Sequence, residues 1–429
     1  MAKKLFGNLS QVKSRVLQTQ TTLEDLSEQK ADYDFRAHPL YQELQYMRET
    51  VKKFGIADPL YRNYQGVAGA KINYAARELI NYGSYNYLGL NGDPRTIQAV
   101  TEVLAEEGTT VSASRIVAGQ RVIHQKLEDK LAELYQTENA IVFVSGHATN
   151  VSVISCLTHD KSLILYDQLA HNSIIQGVKL SVAKAIGFRH NDINHLSQLL
   201  QLNAHKYEQI FVVVEGLYSM DGDIPNLPEI IKLKKEYGVV LMVDEAHGLG
   251  VLGKTGKGIF EHYNFSPKEV DIWMGTLSKT LCSCGGYIAA NNVIIDILRH
   301  YAPGLVYSVG LSPANTVAAI SSLELMLAEP DRVNRLHDNS EYLLTQLKNH
   351  GLDTGDSIGR AIIPVIVGSS RNAVALSNKL FDDYNINAMP IMYPAVEERK
   401  ARLRFFISSE HTKEQLDYTV ECLKQNIVL

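Results

Sequence analysis

The chain has 429 residues, long for one hydrophobic core, so two subdomains are the default expectation. Its apolar fraction of 45% and its 29 glycines suit a globular α/β protein and exclude a disordered one. A net charge of −5 with no dominant basic block argues against nucleic acid as a partner, and no apolar run reaches the length of a membrane span. The cysteines Cys156, Cys282, Cys284 and Cys422 lack metal-ligand spacing. The lone C-x-C pair is a poor zinc half-site, so no metal is expected and all four read as reduced thiols. The opening MAKKLFGNLSQVKSRVLQTQ lacks the apolar core of a secretory signal, which makes a soluble cytoplasmic protein the expectation.

Residues 1–77 read as an N-terminal helical arm. Up to about residue 37 it is polar, with charges at helical spacing and little to bury, as in a solvated or partner-facing segment. A second helical stretch, PLYQELQYMRETVKKFG, lies between His38 and Tyr64. A large α/β domain is expected over residues 78–312. It opens with ELINYGSYNYLGLNGDP, stopped at Gly92-Asp93-Pro94, and the amphipathic helix TIQAVTEVLAEEG, ended by Gly108. Strand and helix then alternate, the pattern of a doubly wound, mostly parallel sheet. A helix covers Arg121 to Tyr135, a buried strand covers Ala140 to Val144, and a small-residue turn from Ser145 to Asn150 opens the helix VSVISCL. Further strands are LILYD, with His171 in its loop, IFVVVEGLYSMDGD, ending near Ser219 and Asp221, and VVLMVDEAH. GGYIAA is one more, lying antiparallel or at an edge. Residues 313–429 change character, with a long helix after Pro313, two further helices, the strands AIIPVIVG and ARLRFFIS and a final helix, a smaller α+β domain.

Candidate chemistry gathers in VVLMVDEAHGLG and DIWMGTLSKT. An apolar run that stops at Asp-Glu-Ala-His is a parallel strand leaving the core. Ligands of open α/β sheets bind at such strand ends, so Asp244, His247, Thr276, Ser278 and Lys279 can converge there. A carboxylate, an imidazole, two hydroxyls and a lysine suit pyridoxal 5′-phosphate (PLP): a Schiff-base lysine, a carboxylate that keeps the pyridine nitrogen protonated, and hydroxyls for the phosphate. The turn at Ser145 presents free backbone N–H groups to an anion, although the same pattern also makes an ordinary strand-to-helix turn.

From about Glu78 to the C-terminus the chain resembles the α-oxoamine synthases, fold-type-I PLP enzymes. The motifs that carry the resemblance are SYNYLGL (84–90), GTTVSASRIVAGQRVIHQKLE (108–128), SGHATN (145–150), DQLAHNS (167–173), EGLYSMDGD (215–223), VDEAHGLGVLGKTGKG (243–258), GTLSKT (275–280) and ARLR (401–404). SASRIVAGQ and the long arm ahead of Tyr85 are most similar to the polyketide- and prodiginine-pathway synthases, which take their acyl group from an acyl carrier protein. The resemblance implies a homodimer with its active site at the interface. It makes Lys279 the Schiff-base lysine and the base for the Cα proton, and Asp244 the partner of the pyridinium nitrogen. His247 and Ser219 would bond the ring's phenolic oxygen, and His171 would stack on the ring face. Thr276 and Ser278 would bind phosphate beside the amides of Gly146 and His147 in the Ser145 turn, with Ser308 reaching the phosphate of the neighbouring subunit. Asn86 and Arg404 match the positions that hold the amino-acid carboxylate, and Arg402, read as its neighbour on the alternate strand face, is the less favoured choice.

Three positions depart from the family pattern: VEERKARLR replaces a Val-Pro-x-Gly approach to Arg404, His147 stands where an aromatic residue is common, and Thr280 where alanine is more usual. The implied reaction is a decarboxylative Claisen condensation of an α-amino acid with an acyl thioester, giving an α-amino ketone, CO2 and a free thiol. Glycine, alanine and serine are the favoured amino acids, and a larger one such as arginine stays open. A carrier-protein thioester is the leading donor and acyl-CoA the alternative. A fold-type-I aminotransferase and a non-catalytic partner subunit are the remaining readings.

Overall fold

The computed structural model describes residues 32–53 and 57–427, the side chains of 50–52 excepted. Residues 1–31 of the expected arm lie outside the described residues. The chain divides into the units Met1–Asp58 and Pro59–Leu429. In the first, a turn at Phe35–Ala37, capped by the Asp34 side chain, precedes the helix Pro39–Lys53.

The strands of the second unit are, in chain order, β1 (Lys71–Tyr74), β2 (Arg77–Asn81), β3 (Asn139–Phe143), β4 (Ser162–Asp167), β5 (Lys184–Phe188), β6 (Gln209–Glu215), β7 (Val240–Asp244), β8 (Ile272–Thr276), β9 (Gly286–Ala290), β10 (Ile362–Gly368), β11 (Ile386–Asn387), β12 (Met389–Ile391) and β13 (Ala401–Phe406). Seven of them form one sheet in the order β3-β9-β8-β7-β6-β4-β5. β5, β4, β6, β7 and β8 are parallel, and β9 runs antiparallel to both of its neighbours. GGYIAA is therefore antiparallel, and it is an interior strand, not an edge one. All five residues of β9 are buried, and Tyr287 crosses Gly275 so closely that a Cβ there would lie 2.2 Å from the Tyr287 hydroxyl.

Side chains alternate across this sheet, and both faces are covered, as the apolar runs require. Ile141, Phe143, Ile164, Phe211, Val213, Met242 and Met274 pack on one face with Val153, Ile154, Ile174 and Leu298 from helices. Val142, Leu165, Val212, Val214, Leu241, Val243 and Trp273 point the other way, toward Leu127, Leu131, Leu200 and Ile230. Smaller sheets, β1-β2-β11 and β10-β13-β12, complete the unit.

The helix boundaries follow capping chemistry. Pro94 opens the helix Pro94–Glu107 behind the Asp93 cap, and Gly108, at φ 76°, ends it. The expected strand IFVVVEGLYSMDGD stops earlier than Ser219: β6 ends at Glu215, and the following segment turns back, with the Gly222 N–H bonding the Tyr218 carbonyl.

Candidate active site

The strands β3, β4, β6, β7 and β8 share one direction, so their C-terminal ends open on one edge of the sheet. A cleft of about 150 Å³ lies there and gathers Ser145, Gly146, His147, His171, Asp244, His247, Thr276, Ser278 and Lys279, together with Asn150, Ser173, Glu215, Ala246 and Met274.

Asp244, the last residue of β7, is buried and held at both oxygens. The Ala246 N–H donates to Oδ1 at 2.9 Å, and Asn150 Nδ2 donates to Oδ2 at 2.8 Å and also reaches Ser173 Oγ at 2.9 Å. Lys279, three residues past β8, is half-buried, with Nζ 5.6 Å from the centre of the Tyr85 ring. Burial lowers its amine, the Asp244 and Glu215 carboxyls pull it partly back, and the net position is about 8. His247 bonds the Tyr87 hydroxyl through Nδ1 at 2.8 Å and stacks on Phe406. Burial, aided by the Lys279 and Arg404 charges, holds its imidazole well below the usual range, so the ring is neutral at neutral pH. His171 caps the helix Asn172–Leu180: its Nδ1 meets Ser173 Oγ at 2.7 Å, and its backbone N–H donates to Glu215 Oε1 at 2.5 Å. Burial lowers this imidazole too. Glu215 is pushed above the ordinary carboxyl range, first by burial and then by the Asp244 charge.

The opposite end is built for an anion. Ser145 caps the helix Gly146–Leu157, its Oγ accepting from the Ala148 N–H at 3.4 Å. The first amides of that helix, Gly146 and His147, have no intrahelical acceptor and point with the helix dipole. Thr276 Oγ1 donates to the Gly285 carbonyl at 3.0 Å and accepts the Ser278 N–H at 3.2 Å, while Ser278 Oγ accepts the Gly285 N–H at 3.4 Å. A Cβ on Gly146 would stand 2.8 Å from Thr276 Oγ1, so glycine is what lets the helix end and the hydroxyl loop close on one point. An anion cradle, a doubly anchored carboxylate and a half-buried lysine in one cleft fit a phosphorylated pyridine aldehyde such as PLP.

Four expected residues do not line the cleft. Ser219 is buried in the turn after β6, where its carbonyl accepts from Arg404 Nη1 at 2.9 Å. Asn86 braces its own segment, with Oδ1 accepting from the Asn91 N–H at 3.1 Å and Nδ2 donating to the Ala68 carbonyl at 3.2 Å. Ser308 is half-buried in the segment between the exposed Tyr307 and Val309. Arg404 lies over the Phe406 ring at 4.3 Å, and its buried Nε has no partner among the described residues. Arg402 is on the same face of β13 as Arg404, not the alternate one, because residues two apart on a strand point the same way. It is committed elsewhere, donating to Asp221 Oδ1 at 2.5 Å and the Met220 carbonyl at 3.0 Å.

Asn150, Glu215 and Tyr87 were not singled out from the sequence. Asn150 and Gly146 are four apart and share a helix face, which is the signal that could have found Asn150. Glu215 and Tyr87 stood inside quoted motifs with nothing to mark which way they pointed.

The family model for aminotransferase class I and II matches residues 77–423. The chain is similar to 8-amino-7-oxononanoate synthase of Petrotoga mobilis, 39% identical over 87% of this chain and 95% of that one. It is likewise similar to the serine palmitoyltransferase of Bacteroides thetaiotaomicron, 36% identical over 85% and 92%. Among solved structures, Sphingomonas wittichii serine palmitoyltransferase superimposes with a TM-score of 0.86 at 31% identity, covering 92% of this chain and 98% of that one.

Proposed function

Because the chain belongs to the aminotransferase class I and II family and, within it, to the α-oxoamine synthases, we propose that it joins a small α-amino acid to an acyl thioester carried on an acyl carrier protein, releasing CO2 and the free thiol and leaving an α-amino ketone. PLP is the cofactor, and when bound it supplies the electron sink for the pair left at Cα. The observation that carries the reading is Lys279: a half-buried amine at about 8, in one cleft with an anchored carboxylate and an anion cradle.

Each residue then has a task. Lys279 Nζ, in its neutral form, takes the Cα proton and returns one to Cα after CO2 has left. Asp244, fixed by Asn150 and the Ala246 amide, presents a carboxylate to the pyridine nitrogen. His171, clipped by Ser173 and Glu215, offers its ring face, and His247, tied to Tyr87, a neutral edge to the phenolic oxygen beside Ser219. Gly146, His147, Ser145, Thr276 and Ser278 hold the phosphate. The free Nε of Arg404 points to the amino-acid carboxylate as its ligand, with Asn86 steadying the neighbouring segment. The exposure of Tyr307 and Val309 beside Ser308 supports a homodimer in which Ser308 serves the partner's phosphate site. A carrier-protein donor rests on SASRIVAGQ and the length of chain ahead of Tyr85.

The test is a mass-spectrometric screen of amino acids against matched acyl-carrier-protein and acyl-CoA donors. An amino ketone formed with the carrier-protein donor is expected. Equal turnover of both donors would remove the carrier-protein assignment, and pyridoxamine phosphate accumulating without thioester would indicate an aminotransferase.

A further inference from the structure

Outside the cleft, one largely buried cluster sets an imidazole between two carboxyl groups. His190, in the segment after β5, faces a carboxylate with each ring nitrogen: Nδ1 lies 2.9 Å from Asp167 Oδ1 and Nε2 lies 2.8 Å from Asp223 Oδ2. A neutral imidazole has one N–H, whereas two ionised carboxylates need two donors, so with both aspartates ionised the ring is an imidazolium. Asn191 repeats the link, its N–H donating to Asp167 Oδ2 at 3.0 Å and its Nδ2 to Asp223 Oδ2 at 2.7 Å. The Tyr218 ring closes the cluster edge-on, 4.6 Å from the imidazole and perpendicular to it. Neighbouring Arg189 turns away to Asp192.

One aspartate leads to the cleft and the other to the arginines of β13. Asp167 ends β4, and its carbonyl accepts from the Ala170 N–H immediately before His171. Asp223 closes the turn that accepts Arg404 at the Ser219 carbonyl and Arg402 at Met220 and Asp221. We propose that His190, as an imidazolium between Asp167 and Asp223, is a positioning residue that fixes the separation of the His171 ring from the Arg404 guanidinium, and so sets how an amino acid sits between cofactor face and carboxylate anchor. This rests on the reading of His171 and Arg404 given above.

Burial works against the charge on His190, and the bonds from Asp167 and Asp223 more than reverse that, holding it near 10. The other titratable group facing it is the buried Tyr218, with Glu215 just beyond. On the alkaline side the clamp is therefore intact through neutral pH and is lost as pH rises past about 10.

The test uses the PLP-loaded enzyme and reads amino-acid affinity from the change in cofactor absorbance, with no acyl donor present. Failure of the condensation reading therefore does not enter the result. His190→Gln can serve one carboxylate but not both. It is expected to weaken amino-acid binding about tenfold, because small misplacements of binding groups are costly, and to alter the circular-dichroism signal of the bound cofactor. Asp223→Asn keeps an acceptor opposite Nε2, should show a smaller loss of the same kind, and carries the test alone if His190→Gln does not fold. Affinity and cofactor signal unchanged in the folded variants, with only the melting temperature lowered, would reduce the cluster to a structural staple and overturn the proposal.

Discussion

Lys279 shows how much one residue's surroundings decide. An amine with an ordinary value of 10.5 is held near 8 because burial removes the water that stabilises its charge. Lys279→Ala should abolish amino-ketone formation and remove the visible absorbance of a lysine-linked cofactor, checked by product mass and by spectrum after adding PLP. Glu245, next to Asp244, is a different buried group. Its Oε1 accepts from the Ile259 N–H at 2.6 Å, and Cβ atoms on Gly216, Gly248 or Gly258 would lie 2.6, 1.6 and 2.6 Å from its carboxyl oxygens. Burial raises it from 4.5 to about 8, so between those values the folded state binds more proton than the unfolded one, and its contribution to stability declines as pH rises. Urea unfolding at about pH 5 and about pH 9 should therefore show wild type losing stability relative to Glu245→Gln as pH rises. A pH-independent difference would assign no such burden to Glu245. Asp244, His247 and Lys279 were legible in the sequence because a strand that stops at charged residues marks its own end. Asn150 and Glu215 were not, since spacing along the chain does not say which side chain turns inward once the strands are paired.

At the scale of elements, the anion cradle depends on one helix end meeting one loop. Gly146→Ala sets a Cβ 2.8 Å from Thr276 Oγ1 and should push the helix end off the loop while leaving the core intact. About tenfold weaker PLP binding with an unchanged melting curve for the cofactor-free protein is expected from a displacement of this kind. Equal PLP affinity would mean that the cradle absorbs the methyl group. Most strands and helices were readable because their apolar faces have a strict period. β5 was not, because two of its residues are exposed and it lies at the end of the sheet. The interior place of β9 was not fixed by Gly-Gly-Tyr-Ile-Ala-Ala either, since small residues suit an edge as well as a close crossing. The tight passage of Tyr287 over Gly275 is a property of the assembled sheet alone.

Across the second unit, the turn that follows β6 is held from two sheets. β13 belongs to the sheet β10-β13-β12, yet Arg402 and Arg404 on one face of it reach the turn that follows β6 of the large sheet. The sequence indicated both arginines but not their common direction of reach, which only the docking of the two sheets decides. Arg402 is 3% exposed and Asp221 is its carboxylate partner, so Asp221→Ala leaves a buried guanidinium with the Lys400 and Met220 carbonyls as its acceptors among the described residues. Loss of one member of such a pair should cost about 3 kcal/mol, the low end for a buried pair because Asp221 keeps some water contact. The same turn carries the Ser219 carbonyl that steadies Arg404, so its loosening should also raise the KM for the amino acid while leaving that for the acyl donor unchanged. Arg404→Met is the control, expected to raise the amino-acid KM further at a smaller cost in stability than Asp221→Ala, because it removes the bond to the Ser219 carbonyl but strands no buried charge, and the contact with the Phe406 ring survives as an apolar one. Urea unfolding and steady-state kinetics on the two variants separate the effects. If Asp221→Ala lowered stability but left the amino-acid KM at the wild-type value, the arginine face of β13 would hold the sheets together without tuning the site between them.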